Sequence, residues 1–224
     1  MSHVRKARSC KLIASGDTSR ATYTKYVRIQ AKDAVERRER IHANPHYIAE
    51  VLALELLEIP SGVQVHYVDD VTKAQDAIGA LAGASVVGFD AEWEPHQPAS
   101  SPAGYAATVQ FATRDDAVVL DLVALNRVDG GLEAANEVVA SALSGGALVV
   151  GFVLDGDLAR GQPVLSNLAT LAPDKKLDLR VGAGGGSLAD LVREKLYKDL
   201  DKSRQTSAWG SMMRPLSRPH INYA

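Results

Sequence analysis

The chain has 224 residues, 46% of them hydrophobic and 23% charged, with a net charge of −2, as in ordinary globular proteins. No apolar run reaches the ~18 residues needed to span a bilayer. The single cysteine, Cys10, excludes an internal disulfide and a zinc cluster of thiolates, and fits a reducing, intracellular compartment.

The charge is spread unevenly. Residues 1–40 hold 11 Lys and Arg against 4 acids, and the remainder holds 14 against 23. A basic arm on an acidic body fits nucleic-acid contact, and equally a solvated leader. The first 32 residues carry Ser, Thr, Arg and one acid, Asp17, as transit peptides do, without an amphipathic period. No apolar stretch follows the basic start as a secretory signal requires.

In chain order, residues 32–43 read as a charged, solvated helix. Asn44 and Pro45 suit the cap and first position of a second helix over 44–59. Ile59–Gly62 ends it and divides a basic N-terminal segment, 1–60, from a main domain, 61–224. The domain then alternates. Strands are expected at 63–68, 85–93, 107–115, 117–125, 147–155 and 175–180, and helices at 70–83, 130–145 and 186–197. Asp115–Asp116 joins two of the strands in a hairpin, one or two helical turns fall within 156–171, and a last short helix begins near Ser217. A hairpin followed by strand–helix alternation predicts an α/β fold, a mixed sheet with flanking helices.

The run Gly182–Gly186 lacks the spacing of a dinucleotide loop and has no Lys-Ser/Thr pair behind it. It reads as a turn feeding a helix capped by Ser187. The acids carry more information. Asp90 and Glu92 stand at i and i+2 on an apolar strand, so both side chains share one face. Two carboxylates there repel one another unless they lie in water at the strand end or a divalent cation lies between them. Mg²⁺ or Mn²⁺, which prefer oxygen ligands, suit the second case. A second apolar strand runs into Asp155 and Asp157, and strand carboxyl ends are where α/β sheets form sites. Asp157, followed by Leu158 and Arg160, fits a helix entry and is preferred over Asp155.

With these residues in place, "VVGFDAEWEP", "VVGFVLDGDLAR" and "LDKSRQTSAWGSMMRPLSRPHINYA" resemble the 3′–5′ exonuclease domain of the RNase D and Werner-helicase group, of the DEDDy type, from about Val63 onward. The resemblance implies a ribonuclease H-like fold. It implies metal ligands at Asp90, Glu92 and Asp157, and a third motif in which Lys202, Ser203, Ser207, Trp209, Arg214, Pro215 and Leu216 precede Tyr223. Two Mg²⁺ or Mn²⁺ ions, a nucleic-acid 3′ end as substrate and nucleoside 5′-monophosphate as product follow from it, with Tyr223 orienting the attacking water. The family's last aspartate falls three residues beyond Ala224, so the expectation for this 224-residue stretch is a truncated domain of impaired activity. The other reading is an inactive nuclease-fold module that binds nucleic acid or a protein.

Substrate contacts rest on residue type alone. Trp93 is a stacking platform or core, and Lys202 and Arg204 are phosphate contacts or solvated charges. The 94–104 loop borders the acids, so His96 and Tyr105 are candidates only, and Gln110 and Phe111 read as packing.

Overall fold

The computed structural model describes residues 54–182 and 186–224. The expected helix at 32–43, most of the helix at 44–59 and Ala183–Gly185 of the glycine run lie outside these residues. The described end of the second helix, 54–59, is not helical. Leu57 N donates to Asp199 O (2.6 Å) and Asp199 N donates to Glu55 O (2.8 Å), so these backbone groups are spent on an extended bridge. The chain divides into two compact units. One comprises Glu58–Asp178 with Asp201–Ala224; the described residues of the other are 54–57, 179–182 and 186–200.

The larger unit contains a six-stranded sheet of order β1-β4-β3-β2-β5-β6. The strands are β1 (Gln64–Val68), β2 (Val86–Trp93), β3 (Ala106–Ala112), β4 (Asp116–Asp121), β5 (Leu148–Gly151) and β6 (Lys176–Asp178). β3 alone runs against the other five, because it pairs antiparallel with both β2 and β4 while the remaining pairs are parallel. This is the expected mixed sheet.

Helices α1 (Val71–Leu81), α2 (Leu122–Leu125), α3 (Gly131–Leu143) and α4 (Leu154–Gly161) belong to this unit, as does the C-terminal α7 (Arg218–Tyr223). Alternation along the strands separates two faces. Val87, Phe89 and Ala91 of β2, Val109 and Phe111 of β3, and Val118 and Leu120 of β4 are buried with Ala74, Ala77, Leu81, Val138, Val139, Leu154 and Leu158 of the helices. Asp70 caps α1 by accepting from Thr72 N (2.8 Å) and Lys73 N (3.1 Å). The opposite face is polar and carries the acids.

Two expected strands are shorter than their apolar runs. The run 117–125 stops as a strand at Asp121, whose carboxylate accepts from Ala124 N (3.1 Å) and starts α2. The run 147–155 stops at Gly151. Val153 then takes a left-handed conformation (φ 62°, ψ 37°), and α4 begins at the next residue. A β-branched residue in this region is strained. Asp178 Oδ1 accepts from Val153 N (3.0 Å) and holds the turn, so the end of β6 sets where α4 starts. A side chain at Gly151 would stand 2.9 Å from Phe89 O, which is how α4 comes so close to β2.

In the smaller unit, α5 (Leu179–Gly182) replaces the end of the strand expected at 175–180, and α6 (Leu188–Leu196) follows. Ser187 caps α6 as expected, in a reciprocal pair with Asp190. Among the described residues, no helix is long and apolar enough to cross a membrane.

Candidate active site

The polar sheet face is best followed across the strands. Asp90 of β2 stands opposite Gln110 of β3, which stands opposite Val119 of β4, which pairs with Tyr67 of β1. The next row is Glu92, Thr108 and Asp121. Residues in register share a face, so the two acids of β2 lie together as their spacing predicts. A β-bulge between Glu92 and Trp93 ends the regular pairing there and turns Trp93 out of the row.

Asp157 reaches these acids from the first turn of α4. It is 6% exposed, whereas the Asp155 side chain is 88% exposed and paired with Lys176 (3.3 Å). Of the two, Asp157 is the one whose carboxylate adjoins Asp90. Asp157 Oδ2 is buried and has no N–H or O–H donor beside it. Its neighbour is another carboxylate, Asp90, and the two can share a hydrogen bond only when Asp157 carries the proton. Burial, then the charges of Asp90 and Asp178, push Asp157 up to about 8. Burial and then the charge of Asp90 push Glu92 up to about 8, with Lys202 opposing. Asp90 keeps exposed surface on its strand, yet protein atoms crowd its carboxyl. Burial therefore raises it too, against the hydrogen bond from Ala91 N (3.0 Å) and the charge of Lys202.

Tyr223 comes to the same place on α7. Burial and then the charges of Glu92 and Asp90 hold its phenol well above the ordinary range, so it stays a neutral donor. It sits on Trp209, which is fully buried, with ring centroids 6.0 Å apart. The structure thus brings together Asp90, Glu92, Asp157, Tyr223 and the charge of Lys202. It does not bring Arg204 to them: that residue lies under Trp209, whose Nε1 donates to Arg204 O (3.2 Å), and its charge acts on His220 and Asp201.

Trp93 is a wall more than a platform. It leans on the core, and the Arg160 guanidinium covers one ring face at 4.5 Å from the centroid. Arg160 Nη1 also donates to Gln97 O (2.8 Å) and Gly104 O (2.6 Å), latching the 94–104 loop to α4 one turn from Asp157. Only glycine fits at 104, where a Cβ would lie 1.9 Å from Pro98 O. Arg160→Ala is expected to cost about 1–3 kcal/mol. It should also speed proteolytic cleavage within 94–104 and shift the emission of Trp93, while Trp209 stays dark to solvent.

Glu94, Asp121 and Tyr67 were not singled out by sequence. Glu94 Oε2 accepts from Gly210 N (3.0 Å), Ser211 N (3.1 Å) and Ser211 Oγ (3.2 Å), tying the end of β2 to the turn under Tyr223. Asp121 Oδ2 receives Tyr67 OH (2.6 Å) and lies 2.6 Å from Arg214 Nε, an ion pair out of line for a hydrogen bond. Arg214 also donates to Trp209 O (2.7 Å) and Met212 O (2.8 Å), and Leu216 N donates to Tyr67 OH (3.0 Å). Gln110 is on the acid face and not in the packing; Phe111 is, tilted on Phe89 at 5.3 Å. Strand periodicity carried that signal, since Gln110 alternates with Val109 and Phe111.

The chemistry of this donor set, though not its present spacing, suits a divalent cation. Among the described residues, no three acidic, His or Cys side chains stand close enough together to hold a metal ion as they are placed. Yet two adjoining carboxylates without a donor between them, and a third repelled by both, are short of positive charge and not of ligands. Asp90, Glu92 and Asp157 would hold it.

The fold is ribonuclease H-like: a mixed sheet with flanking helices, in which the acids of central strand β2 meet an acid of α4, the helix after β5. The sequence profile of a 3′–5′ exonuclease family matches residues 65–224, and the chain belongs to that family. It is 27% identical over 183 residues to the exonuclease mut-7 homolog of Aedes aegypti, covering 71% of this chain and 24% of that relative; it spans about a quarter of the relative's length. The crystal structure of the Aedes aegypti Nibbler EXO domain superposes with a TM-score of 0.58 at 24% identity, covering 76% of this chain and 84% of that one. Trypanosoma brucei RNase D in complex with RNA U12 superposes with a TM-score of 0.54 at 16% identity, covering 78% and 59%.

Proposed function

We propose that the site is a metal-dependent 3′–5′ exonuclease centre that releases nucleoside 5′-monophosphates from the 3′ end of a single-stranded nucleic acid. The observation that carries this is the meeting of Asp90 and Glu92 with buried, donorless Asp157. The family membership and the RNA held by the similar trypanosomal RNase D support the substrate class. Bound Mg²⁺ or Mn²⁺ would supply charge neutralisation at the scissile phosphate and a water acidic enough to attack near neutral pH. Asp90, Glu92 and Asp157 would hold the ions, with Asp90 adjoining both other acids. Tyr223, neutral, orients the water through its hydroxyl; a phenol held this high is no base. Lys202 approaches the phosphate from the open rim.

Residues 1–224 present three of the four carboxylates of the family's pattern, and weak release is expected from them. A chain carrying an aspartate at the fourth position beyond Tyr223 should release mononucleotides from a 3′-labelled oligonucleotide in Mn²⁺. Release should stop with EDTA or with Asp90→Ala. Release that ignores both treatments overturns the reading. Oligonucleotide binding without release from either chain would mark a nuclease-fold module that binds and does not cut.

A further inference from the structure

The polar face holds one group that neither the packing nor the ligand set explains. Gln110 is 7% exposed and Thr108 is fully buried. Gln110 Nε2 donates to Thr108 Oγ1 at 2.7 Å, and Gln110 Oε1 is buried without a partner. An orphaned amide oxygen costs about 1–3 kcal/mol, so for packing alone an aliphatic side chain would serve better. Directly across the strand pair, on the same face, stands Asp90. Opposed residues of an antiparallel pair have Cβ atoms about 5 Å apart, within reach of a glutamine side chain.

The two ends of a carboxamide are nearly equal in size, and a hydroxyl both donates and accepts. A half-turn of the Gln110 amide therefore keeps its bond to Thr108, now donated by Oγ1 into Oε1. The orphaned end becomes an N–H donor. The acceptor this face offers is the Asp90 carboxylate, whose Oδ1 takes Ala91 N. Metal-binding carboxylates are themselves held by outer hydrogen bonds that fix their orientation.

We propose that Gln110, braced by Thr108, is a positioning residue that donates to Asp90 and fixes it for metal binding. The inference rests on the metal-site reading above. Mn²⁺ binding to the full chain, followed by the loss of the free-ion EPR signal, tests it without any turnover. Gln110→Leu should weaken Mn²⁺ binding about 10–100-fold. Its melting temperature in EDTA should fall somewhat, because the bonds to Asp90 and Thr108 are lost together. Thr108→Val, which removes only the brace, should weaken binding less.

Unchanged Mn²⁺ affinity in Gln110→Leu overturns the inference, as does a lower melting temperature in EDTA without a change in affinity. If Gln110→Leu does not fold, Thr108→Val decides, and full affinity there overturns it. If the unaltered chain binds no Mn²⁺, or binds it as well after Asp90→Asn, the metal-site reading fails and takes the inference with it.

Discussion

Arg214→Met is expected to lower the stability of the fold by about 3–5 kcal/mol, read as a shift of the urea midpoint. Its guanidinium side chain is 6% exposed and lies 2.6 Å from Asp121, which is fully buried. Removing the cation leaves a carboxylate in the interior with Tyr67 OH and Ala124 N as its remaining donors. Uncompensated buried charge is among the costliest single defects a fold can carry. For a domain of this size the loss corresponds to a fall of roughly 6–20 °C in melting temperature. Asp121→Asn combined with Arg214→Met should recover a large part of it, since both charges then go together. A double variant no more stable than Arg214→Met would show that the loss came from the carbonyls of Trp209 and Met212 and not from the ion pair.

Asp157→Asn is expected to move activity and stability in opposite directions. Mononucleotide release should fall about 10³-fold or more, since metal-borne charge stabilisation is worth several kcal/mol and each 1.36 kcal/mol is tenfold. The fold without metal should gain. The folded-state value of Asp157 is raised to about 8, above that of an unfolded aspartate. A carboxyl raised in this way favours the fold at low pH, and that contribution is lost progressively as pH rises from about 4 to about 8. Glu92, also raised to about 8, acts in the same sense. The metal-free chain should therefore melt at lower temperature at pH 8 than at pH 5. Asn cannot ionise and eases Asp90 and Glu92, so the variant's advantage in EDTA should widen with pH. Mn²⁺ at pH 8 should raise the melting temperature of the unaltered chain and leave that of Asp157→Asn unmoved. Equal Mn²⁺ stabilisation of both would remove Asp157 from the ligand set.

How much of this was legible beforehand depends on the range of the interaction. The i, i+2 spacing of Asp90 and Glu92 is a local property of a strand, and it put both acids on the polar face. The apolar runs showed where strands lie but not where they stop. Each is cut short by a side chain far away or facing the next turn, as Asp178 does for Val153 and Asp121 for Ala124. Arg160 looked like an ordinary helix residue because its partners are carbonyls 56 and 63 residues away, which have no identity in sequence. Glu94 was hidden similarly, as its three donors are a turn's N–H groups and a hydroxyl. Gln110 was readable by alternation and was passed over because one uncharged polar residue in a buried strand is usually packing.

The clamp between Glu94 and Gly210 joins residues 116 apart, and the bond from Leu216 to Tyr67 joins residues 149 apart. Closing loops of that length is slow and is rewarded only when the far end arrives. During synthesis the sheet and its three acids emerge well before residues 209–223, which pack beside them. A nascent chain that ends before residue 209 carries the three acids without the phenol. The sheet can thus form with its acid face open, and that face gains the Tyr223 phenol only when residues 209–223 dock on it.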